Sequence, residues 1–257
     1  MRKLIGFVLL FIISSCAKYK DGGGVQIHSN GYIGAYYQPI EIAMEKFNGV
    51  NAEFLQSGGY INVYSKSEEY HRVSVHRTGY NDLAEFYGDT AYDTTFSYTP
   101  YVDDPHAFLA DEIDAIEVTS TSSYNGIPAG SDLSSQFYFY AMSMYPFIQS
   151  GYTDKFDYVN EYAPAIFQEV IYYILYSRCS WGVVRYDIYL GSPIYGGLDE
   201  IATESLKLIG GSDISRKSIF LLQMKQIPSS PEGELIVKIS FKGGDKLEAR
   251  ASLSKLI

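Results

Sequence analysis

The chain has 257 residues, with 30 acidic against 20 basic side chains, a formal charge of −10 and 46% hydrophobic content. That length is enough to bury a sizeable core in one large domain or two small ones. The acidic balance, with no basic cluster or nucleic-acid motif, excludes a nucleic-acid partner and disfavours direct contact with anionic headgroups.

Arg2 and Lys3 open the chain, Leu4 to Ile13 form an apolar run, and Ser14, Ser15 and Cys16 close it with small side chains and a thiol. A charged start, a short apolar run and a small-residue exit make a secretory signal. The run falls short of the roughly 20 residues that span a bilayer as a helix. Ile13-Ser14-Ser15-Cys16 resembles the lipobox of bacterial lipoproteins. That resemblance implies that residues 1–15 are removed, that the Cys16 thiol is lipidated and that Cys16 becomes the first residue. The A-x-A ending of ordinary cleavage is absent. Ala17 stands where lipoproteins retained at the inner membrane commonly have Asp, which implies the outer membrane. Ser-Ser before the cysteine and a Tyr-rich chain are similar to lipoproteins of Bacteroidota. Those on the cell surface often carry acids after the cysteine, whereas Lys18-Tyr19-Lys20-Asp21 offers one acid among two bases. The periplasmic face and the cell surface therefore both stay open. Loss of Arg2 and Lys3 leaves 18 bases against 30 acids, a net −12.

Residues 16–30 contain Gly22-Gly23-Gly24 among Lys, Asp and Ser and read as a flexible tether. Residues 31–257 read as a β-rich domain, with a possible subdivision near 103–111. No internal period of 20–50 residues is present, which disfavours solenoids and propellers. Ile40, Ala43, Met44 and Phe47 fit the spacing i, i+3, i+4, i+7, so a short helix is expected between Pro39 and Asn48-Gly49. Tyr60 to Tyr64 and Tyr70 to Arg77 alternate and read as two antiparallel strands, with Lys66 to Glu69 as their polar connection. His71 and His76 face opposite sides of a strand, His28 lies in the tether and His106 follows Pro105. No pair has a recognised ligand spacing, so no metal is expected.

Asn81 to Phe108 is acidic, aromatic and turn-rich, with Asp82, Glu85, Asp89, Asp93, Asp103 and Asp104. Oxygen-rich loops hold calcium, but the EF-hand order is missing, and solvated loop acids are the expectation. Two of these carboxylates flanking a sugar bond would make a glycosidase; the sequence gives no pairing distance. Asp111 to Asp114 leads into a strand, Ala115 to Thr121, with Ile116 and Val118 facing inward. Turns follow at Tyr124-Asn125-Gly126 and Pro128-Ala129-Gly130. Ile116 to Ser120, then Tyr124 to Leu133 and the following Phe137, resemble Bacteroidota lipoprotein domains of unknown function. That likeness extends from Asp111 to the C-terminus and implies no catalytic residues.

Ser134 to Tyr145 is densely aromatic, and Gly151 to Glu161 is polar. Pro164 to Ser177 reads as a helical turn and a buried strand, and Trp181 to Leu190 as another strand. Asp199 to Gly210, with Ile201, Ala202, Leu206, Leu208 and Ile209, reads as a helix ended by Gly210-Gly211. Ser218 to Gln226 is a strand and Pro228 to Glu232 a turn. Glu234 to Lys242 alternates strictly, with Leu235, Val237, Ile239 and Phe241 on one face. Gly243 to Lys246 then turns the chain into Leu247 to Leu253, completing a hairpin.

The fold class expected is mostly β, with sandwich-like antiparallel sheets and a few short helices. With Cys16 lipidated, Cys179 has no internal partner and reads as a buried, inert thiol. The chain has 25 Tyr, 14 Phe and one Trp. Tyrosine suits a position with one dry side and a hydroxyl at water. Half-buried sheets and exposed Tyr faces for glycan or protein recognition both account for this. No nucleophile elbow, S-x-x-K, P-loop or dinucleotide fingerprint is present, and no cofactor is implied. The leading expectation is a lipid-anchored envelope protein, held to the membrane by its N-terminal lipid, with a structural or binding role. The alternatives are a surface glycan-binding lipoprotein using exposed Tyr and Trp181, and an envelope hydrolase with a dispersed active site.

Overall fold

Apolar side chains at every second position give a strand one dry face, and this period governs most of the chain. The computed structural model describes residues 31–47, 59–71, 77–92, 107–154, 191–210 and 218–257. Nine strands are described: β1 (Ala35–Lys46), β2 (Tyr60–His71), β3 (Ala107–Leu109), β4 (Ile113–Ser120), β5 (Phe137–Ser143), β6 (Ser192–Gly197), β7 (Ser218–Met224), β8 (Glu234–Phe241) and β9 (Lys246–Ser252). Three short α-helices join them, α1 (Arg77–Tyr87), α2 (Tyr145–Gln149) and α3 (Leu253–Leu256). A six-stranded sheet has the order β3-β1-β2-β7-β5-β6, and a three-stranded sheet the order β4-β8-β9. Every pairing is antiparallel except the short parallel contact of β1 with β3. The mostly β, sandwich-like class expected from the sequence is the one observed.

The two sheets share one apolar core. Ile42, Met44, Ile61, Val63, Phe139, Phe220 and Leu222 of the larger sheet join Val118, Leu235, Val237, Ile239 and Phe241 of the smaller. Phe139 and Phe220 pack with ring centroids 5.1 Å apart. On the opposite face of the larger sheet, Tyr36 of β1 and Phe108 of β3 join α1 and α2 in a second cluster with Tyr80, Ala84, Tyr87, Phe147 and Leu208. Three layers result: small sheet, large sheet and helices.

The C-terminal hairpin forms as expected, with β8 paired to β9 from Glu234↔Ser252 to Ser240↔Lys246. Leu235, Val237, Ile239 and Phe241 are all buried. Val118 of β4 is buried and Ile116 packs against the same core. The turn at Asn125-Gly126 closes a bridge between Tyr124 and Ile127.

Four expectations are corrected. Residues 40–46 are strand, not helix. Within the strand the buried positions are Ile42 and Met44, two apart, while Ile40 is exposed; Phe47, just past its end, is buried. Pro39 is tolerated because a bulge separates it from Glu41 in the pairing with β2, and β3 pairs β1 only as far as Tyr37. Lys66 to Glu69 is not a connection: β2 runs unbroken through it, and its antiparallel partner is β1. Arg77–Tyr87 is helix where a turn-rich stretch was expected to begin. The helix expected over 199–210 is absent; single 3-10 turns occupy Leu198–Glu200 and Thr203–Ser205. Beyond them the backbone lies between β3 and β5, with Leu109 N–H donating to Ile209 O (2.9 Å), Met144 N–H to Leu208 O (3.1 Å) and Gly210 N–H to Met142 O (3.2 Å). Leu206 and Ile209 enter the sandwich core and Leu208 the helical layer. A helix cannot serve two opposite faces so closely in sequence while giving its backbone to two strands. The readings over 155–190, Cys179 and Trp181 included, lie outside the described residues.

Phe220→Ala is expected to lower unfolding stability by about 3–5 kcal/mol through the cavity it leaves, and Ile40→Ala by no more than about 0.5 kcal/mol. Urea unfolding of both variants checks this. Equal losses would contradict the placement of Ile40 outside the core.

Candidate functional site

Helix α1 is amphipathic: Tyr80, Leu83, Ala84 and Tyr87 recur at i, i+3, i+4, i+7 and belong to or pack on the helical-layer cluster. Its end is a Schellman cap, with Gly88 N–H donating to Glu85 O (3.1 Å) and Asp89 N–H to Ala84 O (2.7 Å). Gly88 has φ +75°, a conformation that any side chain would strain. This cap turns the next residue, Asp89, into the space between α1, α2 and the start of β1.

Asp89 is fully buried, and among the described residues no cation pairs with it. Four donors converge on its carboxylate. Oδ1 accepts from Tyr32 N–H (2.6 Å) and the Tyr152 hydroxyl (3.1 Å). Oδ2 accepts from Ile33 N–H (2.9 Å) and the Tyr36 hydroxyl (3.2 Å). Aromatic rings wall the site, with Tyr32 edge-on to Tyr92 (4.9 Å) and to Phe147 (5.2 Å), and Tyr92 edge-on to Tyr152 (5.2 Å). Tyr152 holds φ +65°, costly for a bulky residue, and its N–H donates to Phe147 O (2.9 Å). Gly31 lies so close that a Cβ would sit 2.3 Å from Asp89 O and 2.6 Å from Oδ2.

Burial pushes the Asp89 carboxyl above the ordinary carboxylate range, and the four hydrogen bonds oppose that without cancelling it. Its place just beyond a helix C-terminus adds no help, since that end carries partial negative charge. The Tyr36 hydroxyl is raised well above its usual value by burial first and by the Asp89 charge next. A group with no exposed surface cannot meet a substrate, so the chemistry this carboxylate performs is to hold chain segments together.

A second, exposed region lies on β5 and edge strand β6. Tyr138 is 42% exposed and Tyr195 46%. Tyr195 sits opposite Tyr140, two residues from Tyr138, so all three rings share one face. Lys225 Nζ lies 4.9 Å over the Tyr138 ring and 4.0 Å from Asp199 Oδ1. Elsewhere, Glu112 pairs with Lys242 (2.7 Å) and Lys207 (3.3 Å). Burial pulls its carboxyl up, and the two lysines together outweigh this and hold it below the ordinary range. Asp111 is raised by burial and by the negative charge of Asp245, against a hydrogen bond from Gln38 (3.1 Å).

Of the residues singled out in the sequence, Cys16, Cys179, Trp181, His28, His76, His106, Asp93, Asp103 and Asp104 lie outside the described residues. His71 ends β2. Asp82 and Glu85 are exposed on α1. Among the described residues, no three potential ligands from His, Cys, Asp and Glu gather as a metal site would require. Asp89 belongs to the stretch read as solvated loop acids and is instead fully buried, unlike Asp82 and Glu85. The periodicity of Tyr80, Leu83, Ala84 and Tyr87 followed by Gly88 signals the helix and its cap. The partners could not be read, since Tyr32, Ile33 and Tyr152 are 57, 56 and 63 residues away. Comparison with protein-family models, curated proteins and solved structures finds no match.

Asp89→Asn keeps one oxygen. In either orientation, its amide N–H2 faces a main-chain N–H that cannot turn away, which costs about 1–3 kcal/mol. Because the folded carboxyl is raised, it holds its proton more tightly folded than unfolded. The stability it contributes is complete below the unfolded value of about 3.9 and is lost as pH rises through the folded value. The wild-type advantage over Asp89→Asn is therefore expected to be larger at pH 4 than at pH 7 in denaturant unfolding. An advantage that grows with pH would contradict the assignment.

Proposed function

We propose that this chain is a lipid-anchored protein of the outer membrane with a structural or binding role, acylated at Cys16. The observation that carries the reading is the apolar run Leu4 to Ile13 delivered directly into Ile13-Ser14-Ser15-Cys16. Residues 16–30, with Gly22-Gly23-Gly24 at their middle, act as the tether, and the β sandwich is the working body. The acidic charge of the body keeps it from lying down on anionic lipid. One acyl chain binds a bilayer only marginally, so firm anchorage takes more than one chain on the N-terminal cysteine. Among the described residues no helix is long and apolar enough to cross a membrane.

The test is metabolic labelling with a fatty-acid probe, followed by membrane fractionation. Wild type is expected in the membrane fraction with label, and Cys16→Ala without label. Label retained by Cys16→Ala would overturn the proposal.

A second reading, glycan binding, is favoured by the exposed Tyr138 and Tyr195 on one sheet face. Tyrosine rings offer flat apolar surfaces to sugar C–H groups while their hydroxyls stay in water. The neighbouring Lys225 and Asp199 supply a donor and an acceptor for sugar hydroxyls. On a glycan array, the doubly substituted Tyr138→Ala, Tyr195→Ala chain is expected to lose binding that wild type shows, with its unfolding midpoint preserved. Undiminished binding by the double variant would remove this reading.

A further inference from the structure

Gly31 follows the residues read as a tether, and four residues later β1 begins, paired on one side with β2 and on the other with β3. Between these points the backbone is held by side chains rather than by a sheet. Asp89 takes the N–H groups of Tyr32 and Ile33. The Tyr80 hydroxyl donates to Ile33 O (2.7 Å), so both ends of that residue are bound to α1 or its cap. Tyr36 of β1 and Tyr152 after α2 donate to the same carboxylate. Gly31 is the only residue type that lets the backbone pass so close, since a Cβ there would meet Asp89 O, Oδ2 and Cγ at 2.3–2.8 Å. A single carboxylate therefore joins the entering chain to three separate elements.

We propose that Asp89 is a clamp that fixes where the tether meets the body, so that the anchored end is held at Tyr32 and Ile33 ahead of β1. This deepens the anchoring proposal and rests on its reading of residues 16–30 as a tether. A pull from the membrane side reaches the clamp before it reaches the β1–β2 ladder. The donors are neutral and enclosed, so salt that would screen a surface ion pair leaves this bond set largely untouched.

Amide hydrogen exchange on the full chain, read at Tyr32 and Ile33 against the β8 and β9 amides, tests this. In wild type, Tyr32 and Ile33 are expected to be protected. In Asp89→Asn, and separately in Gly31→Ala, protection at these two amides is expected to fall roughly 10- to 100-fold, the range for losing a hydrogen bond to a charged group. Protection of β8 and β9 is expected to fall only by the loss of global stability that denaturant unfolding reads, leaving those amides at least about 10-fold better protected than Tyr32 and Ile33. Unchanged exchange at Tyr32 and Ile33 in both variants would overturn the clamp. So would exchange at Tyr32 and Ile33 no faster than across β8 and β9 in the variants, which would mean that these amides open only by global unfolding. The readout is indifferent to lipid on Cys16, so failure of the clamp and failure of the anchoring reading are told apart.

Discussion

A buried carboxylate that no cation pairs with among the described residues is the constraint around which the helical layer is arranged. Burying a charge is expensive unless hydrogen bonds replace its hydration. Asp89 meets that demand with two main-chain N–H groups and two tyrosine hydroxyls. Each donor comes from a segment that must then be in place: the segment before β1 for Tyr32 and Ile33, β1 for Tyr36, and the turn after α2 for Tyr152. The Schellman cap on α1 aims the acceptor, and Gln149 Nε2 donating to Tyr87 O (2.9 Å) ties α2 to the same helix end. Remove the acceptor and the donors face each other in an apolar cage. The order of this layer is thus dictated by one group's need for partners.

The tyrosine content follows from the same logic. Half-buried rings with hydroxyls at water were one expectation, and recognition surfaces the other. Most of the described tyrosines do neither. Tyr80 donates to Ile33 O, Tyr87 to Ala110 O (2.6 Å), Tyr124 to Gln226 O (3.1 Å) and Tyr140 to Gln223 Oε1 (2.6 Å). Each ring fills core volume while its hydroxyl satisfies an acceptor, buried for Tyr80, Tyr87 and Tyr140, as a phenylalanine could not. Burial raises the Tyr124 hydroxyl to about 12, so it remains a donor throughout the physiological range. Tyr138 and Tyr195 stand apart as the exposed pair, and for that reason they carry the recognition reading.

How much was legible depended on the reach of the signal. Strict alternation in Glu234 to Lys242 specified β8 and its hairpin, because pattern, turn and partner are all local. The helix readings over 40–47 and 199–210 failed for a shared reason: short apolar runs fit period 3.6 and period 2 alike, and tertiary pairing decided between them. β1 took its ladder from β2, and 208–210 gave its backbone to β3 and β5. At Asp89 the local half of the site, helix and glycine cap, was present in the sequence. The long-range half was not, since four separate donors meet there only after folding. The anchor proposed at Cys16 is the reverse case, resting on a purely local signal that needs no fold to be read.

The function proposed joins an anchor at Cys16 to a body whose first described residues are held by Asp89. The central physical claim is that burial outweighs four hydrogen bonds at Asp89. Carbon-13 NMR titration of the Asp89 carboxyl, followed together with the Tyr32 and Ile33 amide shifts, addresses it directly. A carboxyl midpoint above the ordinary value of about 3.9, with both amides shifting at that same midpoint, is the expected result. A midpoint at or below that value, or amides that ignore the titration, would contradict it.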